Sequence, residues 1–480
     1  MVAKTKVFLR ADGNSRIGLG HIHRLLALGE ILSRHFTCIY LIRSPLPGIS
    51  KLIHASGHQI IDVEGNNDID ELKRQLTGHE IVVLDGYNFN TAYQQEVKEH
   101  GCKLVCIDDI HSYHFVSDVL INPAGDVSLS EYSKEPYTKT FFGPAFAMLK
   151  KPFREASKEA PINNRETNLL ICMGGADPEN HTLSALKIGL NFSFNTCYIV
   201  LGEAFAHRQS LQNIVDVVDE SSFKIEILSN LESSSLAGIM KKTGVAICSA
   251  SGIAYEYLSV GGELYLRQTA ENQSHFFSFL IQNNLAFKLE NFRVEPEKVQ
   301  SATQNRLRIF DGNSDQRILK IFNRLDFELN CKVRRAVPDD LLMLFEWTNE
   351  PDLRMQSYNS RPIELEEHTS WFMKKISDSS DLLFIFAFKN ILFAQVRFDV
   401  NEYATISYSL DKNYRGRGWG ELVLQKAIEL FYQQRDSSIA VVGYVKKENE
   451  GSKKIFLNLG FAQMETIDYP NSYRYEYKKI

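Results

Sequence analysis

Seven cysteines occur in this chain of 480 residues, and no two are spaced Cys-x-x-Cys. Cys106, Cys172 and Cys248 fall inside apolar runs, so the scatter argues against a disulfide framework and fits buried, reduced thiols of a cytoplasmic protein. There is no excess of basic charge: 54 Lys and Arg stand against 59 Asp and Glu, a formal charge of −5. That balance argues against general nucleic-acid binding, which needs a basic face, and leaves room only for a local basic pocket. No apolar run is long enough to cross a membrane, since the most apolar later stretch, residues 382–396, is interrupted by Lys389 and Asn390. The first ten residues, Met-Val-Ala-Lys-Thr-Lys-Val-Phe-Leu-Arg, are too short and too charged for a signal peptide and read as a first strand. Internal repeats and low-complexity segments are absent as well.

What is present alternates. Short apolar strands at residues 6–10, 38–42, 81–84 and 104–107 are separated by segments with apolar residues at helical spacing, such as residues 20–35. Such alternation predicts a parallel sheet covered by helices. A second series runs from residue 168 to residue 260, after a charged segment, 150–165, that reads as a linker. A last helix near residues 315–325 leads into a third unit. The expected domains are therefore 1–150, 151–328 and 329–480, because the chain is too long for one ordinary core. Two parallel-sheet halves facing each other place a ligand cleft at the carboxyl ends of their strands.

Four turns carry the chemistry. Residues 415–420 read Arg-Gly-Arg-Gly-Trp-Gly between a strand-like and a helix-like run. A glycine-rich turn that opens a helix presents free backbone N–H groups to a pyrophosphate. The first strand ends in Gly18-Leu-Gly-His-Ile-His-Arg, which puts His21 in the first turn of a helix, where an imidazole is suited to accept a proton; His23 reads as a helix-surface residue. In the second series, Met173-Gly-Gly-Ala-Asp-Pro and Ser249-Ala-Ser-Gly-Ile-Ala-Tyr-Glu each join a strand to a helix. Gly174, Gly175 and Ala176 can lend amides to a diphosphate, and Ser251 and Gly252 fall at a helix start. For Glu256, a ribose-hydroxyl acceptor and a solvated helix residue both remain open. Asp108, Asp109, His111 and His114 offer two carboxylates and two imidazoles within seven residues, but without a recognised ligand spacing, and no metal is expected.

These motifs, with Val83-Leu-Asp-Gly-Tyr, Ile107-Asp-Asp, Ile121-Asn-Pro, Phe142-Gly-Pro and Asn272-Gln, occur in one order over residues 5–320. The order resembles the UDP-2,4-diacetamido-2,4,6-trideoxy-β-L-altropyranose hydrolases of pseudaminic acid biosynthesis, relatives of the two-lobed GT-B glycosyltransferases. The resemblance implies two Rossmann-like lobes and inverting cleavage of the sugar C1–O bond by water, without a required metal. It assigns His21 as the water-orienting base, with Tyr87 and Asn272 near the sugar. Gly20, Gly174, Gly175, Ser251, Gly252, Glu256 and Gln273 would hold the UDP-sugar. Departures are Gly261-Gly-Glu in place of Gly-x-Pro, and His23 in place of an apolar residue.

Residues 332–480 resemble the GCN5-related (GNAT) N-acetyltransferases, an α+β domain. Arg415 with Gly418 and Gly420, and Asn449-x-x-Ser-x-x-x-Phe, carry the likeness. Arg334-Arg-Ala, Trp347-x-Asn and His368-x-x-Trp-Phe point to the subgroup that acetylates the 4-amino sugar of the same pathway, and ribosomal-protein acetyltransferases share some of these marks. The resemblance assigns acetyl-CoA to Arg415, Gly416, Arg417, Gly418, Trp419, Gly420 and Asn449. Phe456 stands where many relatives have a tyrosine that protonates the thiolate, so either the thiolate leaves unassisted or another hydroxyl, such as that of Tyr408, serves. Arg354 and His368 are left between sugar contact and surface. The expectation is a cytoplasmic bifunctional enzyme that acetylates a UDP-4-amino-dideoxy sugar and hydrolyses the product. Its alternatives are a legionaminic-type sugar, or a protein N-acetyltransferase with a non-catalytic sugar-nucleotide module. No nucleic-acid or membrane partner is expected, and the oligomeric state stays open.

Overall fold

The computed structural model describes residues 3–13, 19–63, 68–159, 168–202, 204–218, 224–229, 231–293 and 309–479. Gly18 and the end of the expected linker lie outside them. The chain divides into two compact units, Lys4–Leu319 and Lys320–Ile480.

The first unit holds two parallel sheets. One has the order Gln59–Asp62, Thr37–Ile42, Lys6–Ala11, Ile81–Asp85, Lys103–Ile107, Val119–Asn122, Lys139–Phe142. Its central strands are continuous Val/Ile/Leu runs buried on both faces, as helices on each side require. The chain moves outward from Lys6–Ala11 on one side and returns on the other through Ile81–Asp85, so the strand order reverses between these two. Crevices form at such switch points, beyond the carboxyl ends of the strands. The second sheet repeats the plan with the order Lys224–Ser229, Thr196–Leu201, Leu169–Cys172, Val245–Ser249, Glu263–Arg267, Phe287–Lys288. Its reversal falls between Leu169–Cys172 and Val245–Ser249.

The linker expectation is corrected in its first half. Lys151–Lys158 is a helix whose Phe153 and Ala156 join the second sheet's core with Ala147, Leu149 and Tyr257. Apart from Arg154, which is buried and bonds Leu149 O, its charge is the solvent face of an amphipathic helix, and Phe153 is its anchor.

The second unit is a mixed sheet of seven strands, mostly antiparallel, with the helix Trp419–Gln434 laying Val423, Leu424, Ala427 and Phe431 on its phenylalanine-rich face. Lys389 and Asn390, which interrupt the apolar stretch, have φ of +49° and +66° and form the two-residue turn between Leu382–Phe388 and Ile391–Val400. Positive φ at both centres is what a tight hairpin needs. Ala404–Leu410 pairs in parallel with Val441–Lys446 only at Ala404–Val441 and Thr405–Val442. Beyond Thr405 the two strands part, leaving a split in the sheet. Among the described residues no helix is long and apolar enough to cross a membrane.

Candidate functional sites

At the switch point of the first sheet, Asp85 ends its strand with no solvent exposure. A buried carboxylate needs partners, and two come from the helix Gly20–Leu32. His21 Nδ1 lies 2.7 Å from Asp85 Oδ1. Arg24, one turn on, donates to both carboxylate oxygens, at 2.8 Å through Nε and 2.6 Å through Nη2. Burial pushes the Asp85 carboxyl up, but the charge of Arg24 and the hydrogen bonds from Arg24 and His21 outweigh it and hold the group below its usual range. An ionised Asp85 takes the Nδ1 proton of His21 as a hydrogen bond, which leaves Nε2 as the basic nitrogen. Tyr87 stands edge-on to His21, with ring centroids 4.7 Å apart, and its hydroxyl accepts from Asn272 Nδ2 at 2.6 Å. His21, Tyr87 and Asn272, spread widely in sequence, thus meet at one place. The sequence motif contained Asp85 and Arg24 without giving them a role; a histidine and an arginine at i and i+3 on a helix that follows the first strand is the signal that finds them.

Opposite lies the switch point of the second sheet. Gly174 has φ of +91°, a conformation that favours glycine, and a Cβ there would meet Ser249 Oγ at 3.6 Å, so the two loops adjoin. A Cβ on Gly175 would sit 3.9 Å from Leu19 N, which brings this loop to the start of the His21 helix. Ser251 precedes the helix Gly252–Val260, and its Oγ lies 2.8 Å from that of Ser249. Glu256 is partly accessible yet enclosed by protein near Cys172, Cys248 and Lys150. Burial raises its carboxyl to about 7, against the opposing pull of Lys150. A solvated helix residue would not behave so. Gln273 instead braces its own loop, its Oε1 accepting from Thr269 N at 2.8 Å.

The quartet of Asp108, Asp109, His111 and His114 is not assembled. Asp108 accepts from Ile110 N and His111 N, while His114 turns to Ser133 and Glu135 at 2.7 and 3.1 Å.

In the second unit, Gly418 takes φ of +75° immediately before the helix Trp419–Gln434, so its backbone turns the chain without a side chain. The helix start points free amides into this turn. The neighbouring side chains build the loop. Trp419 is buried against Phe388, Phe393 and Tyr414, with its indole donating to Asn323 O at 3.3 Å. Arg417 stacks over Tyr414 and Trp419, and Arg415 binds Leu410 O at 3.0 Å and Glu350 at 2.6 Å. Trp419 therefore offers a ligand its backbone only. Gly420 packs closely against the next helix, and a Cβ there, 2.8 Å from Ile455 Cδ1, would make that side-chain end shift. Asn449 caps the helix Glu450–Asn458 by accepting from Ser452 N at 3.0 Å. Phe456 is buried beneath Gly443, whereas Tyr408, on the strand that parts from its neighbour, pairs its hydroxyl with Ser452 Oγ at 2.9 Å. Arg354 and His368 are both buried, which removes the surface reading for them: Arg354 binds Asn359 O, and His368 packs among Phe345, Trp371 and Phe372.

The family model described as the acetyltransferase (GNAT) domain matches residues 331–462, and the second unit carries that domain. The chain is 26% identical over 392 residues to an uncharacterised protein of Methanocaldococcus jannaschii, covering 77% of this chain and 78% of that one. It is 27% identical over 260 residues to the UDP-2,4-diacetamido-2,4,6-trideoxy-β-L-altropyranose hydrolase of Campylobacter jejuni, covering 53% and 88% of the two chains. With the spore coat polysaccharide biosynthesis protein SpsG of Bacillus subtilis it shares 21% identity over 272 residues, 55% of this chain and 77% of SpsG. Among solved structures, an N-acetyltransferase from Staphylococcus aureus aligns with 31% of this chain and 98% of its own, at 20% identity and a TM-score of 0.28. A spermidine N-acetyltransferase from Vibrio cholerae, in complex with CoA and spermine, aligns with 31% and 93% at 14% identity and a TM-score of 0.27. A region similar to a sugar-nucleotide hydrolase is thus joined to an acetyltransferase domain.

Proposed function

We propose that this chain is a bifunctional, cytoplasmic enzyme of nonulosonate (pseudaminic acid-type) synthesis. Its acetyltransferase unit transfers the acetyl group of acetyl-CoA to the 4-amino group of a UDP-4-amino-dideoxy sugar. Its first unit, Lys4–Leu319, read as two lobes that meet near residue 150, hydrolyses the resulting UDP-diacetamido sugar to UDP and free sugar. His21, backed at 2.7 Å by a carboxylate that Arg24 keeps ionised, carries this assignment. The hydrolysis named for the Campylobacter jejuni relative supports the same chemistry here.

In the hydrolysis, water attacks the anomeric carbon from the face opposite UDP. Its oxygen bonds to C1, the C1–O bond breaks, and the electron pair leaves with the diphosphate. His21 Nε2 takes the water's proton and returns it to solvent. Asp85 holds the ring in orientation and stabilises the imidazolium as it forms. The amides at Gly174, Gly175 and Gly252 offset the charge on departing UDP, and Glu256 accepts the ribose hydroxyls. Tyr87 and Asn272, already bonded to each other, flank the sugar.

In the acetyl transfer, the amine attacks the thioester carbonyl and an N–C bond forms, the nitrogen releases a proton to solvent, the C–S bond breaks, and the thiolate takes a proton. We assign that proton to Tyr408, whose hydroxyl pairs with Ser452. The amides of residues 416–420 receive the pyrophosphate, and the split beside Tyr408 takes the extended arm of the cofactor. Positioning of thioester against amine supplies much of the rate.

The test is mass spectrometry of products from a panel of UDP-4-amino sugars and amine-bearing peptides with acetyl-CoA. Acetylation and cleavage of a pseudaminic-type substrate is the expected result. Preference for a legionaminic-type isomer overturns the sugar assignment, and acetylation of peptides alone overturns the pathway.

A further inference from the structure

We infer that His111, Glu131 and His275 form a binding site for one divalent cation of the zinc class, which clasps the two sheets of the first unit together beside the cleft. One ligand atom from each residue lies within 4.8 Å of the others. His111 Nδ1 and His275 Nε2 are each 3.9 Å from Glu131 Oε2. Donors around a tetrahedral zinc, at about 2.0–2.2 Å from it, stand about 3.3–3.5 Å apart, so the two His–Glu separations must close by roughly half an ångström and the two imidazole nitrogens by up to about 1.4 Å, within the reach of rotamer adjustments. Two imidazoles and one carboxylate select a borderline cation over calcium or magnesium, which prefer all-oxygen shells. Three protein ligands also leave a fourth position for water.

The placement of these residues goes beyond a surface coincidence. His111 has φ of +56° and is held there by its own N–H, which donates to Asp108 at 2.8 Å. Its ring packs edge-on against Tyr132, with Nδ1 on the side of Glu131. Glu131 ends the turn Leu129–Glu131 in the first sheet's half, while His275 opens the helix Ser274–Gln282 that follows Asn272 in the second. A cation bound by all three fixes that helix start, and with it the Asn272–Tyr87 hydrogen bond. The value of that link to catalysis rests on the hydrolase reading; the binding itself does not. The cation takes no part in bond cleavage.

The full chain is stripped with chelator and titrated with Zn²⁺ by calorimetry and with Co²⁺ by visible spectroscopy, alongside Glu131→Gln and His275→Ala. The expected result is one tight equivalent in the wild type, four-coordinate cobalt bands, and a melting temperature raised by Zn²⁺. Each variant should weaken binding by more than about 100-fold, beyond the 10–100-fold typical of outer-sphere partners, and lose the thermal response. Wild-type affinity in either folded variant, or no binding by the wild type, overturns the inference. Metal binding intact in a protein that never releases UDP would instead sink the hydrolase reading alone.

Discussion

Asp85→Asn separates the chemistry of the His21 corner from its architecture. Asparagine keeps the shape but removes the charge that takes the His21 proton at 2.7 Å and both Arg24 bonds at 2.8 and 2.6 Å. Arg24 is then left with Asp109, 3.7 Å away, as its charged neighbour. Breaking a buried pair from one side costs about 3–5 kcal/mol, so the variant should melt well below the wild type. On the rate, losing a positioned base is worth about 10²–10⁴-fold, roughly 2.7–5.4 kcal/mol at 1.36 kcal/mol per decade. Coupled detection of UDP release from the pre-acetylated sugar, at a temperature where the variant is folded, measures that loss. Calorimetric UDP binding checks that the cleft is intact, since none of the amides proposed to hold UDP is touched. If His21 and Asp85 act as one unit, the double variant with His21→Asn should be hardly slower than either single one. UDP release within about threefold of wild type, or two losses that simply multiply, would refute the coupling.

Four further outcomes follow from the geometry. Gly418→Glu puts a side chain and a negative charge on a backbone at φ +75° where the pyrophosphate amides lie, so acetyl transfer should vanish while UDP release from pre-acetylated sugar persists; unchanged acetyl-CoA binding would reject the loop assignment. Glu256, raised to about 7, must ionise to accept both ribose hydroxyls, so calorimetric UDP affinity should fall as pH drops below about 7, and Glu256→Gln should flatten that slope. The same raised carboxyl holds its proton when the unfolded chain has lost it, so unliganded stability should decline as pH rises from 4.5 toward about 7. Tyr408→Phe should lower the acetyl-transfer rate by about 10²-fold or more with little change in the KM for acetyl-CoA, and an unaltered rate would mean that the thiolate leaves unassisted.

Much of this was readable where a local rule binds. Glycine after a strand marks the turns at Gly174 and Gly418, whose φ of +91° and +75° few other residues adopt, and the alternation of strands gives the two parallel sheets. Partners remote in sequence were not readable. Asp85 reaches His21 only because its strand pairs with Lys6–Ala11, and Glu131 meets His111 and His275 only once both sheets are in place. The strand Gln59–Asp62 was missed because it is short, lies at a sheet edge and carries no buried run. Lys389-Asn390 was legible as an interruption but not as a hairpin turn, since neither residue is the glycine that usually marks positive φ. Trp419 looked available in a glycine-rich loop, but its indole is anchored in the core by an aromatic cluster gathered from distant strands.

The two-step order is tested most directly by following CoA and UDP together from a UDP-4-amino-dideoxy sugar. With acetyl-CoA present, CoA should appear first and UDP should follow after a lag that disappears when the sugar is supplied already acetylated. Without acetyl-CoA the amino sugar should yield almost no UDP. Equally fast UDP release from the unacetylated sugar, with or without acetyl-CoA, would contradict the account.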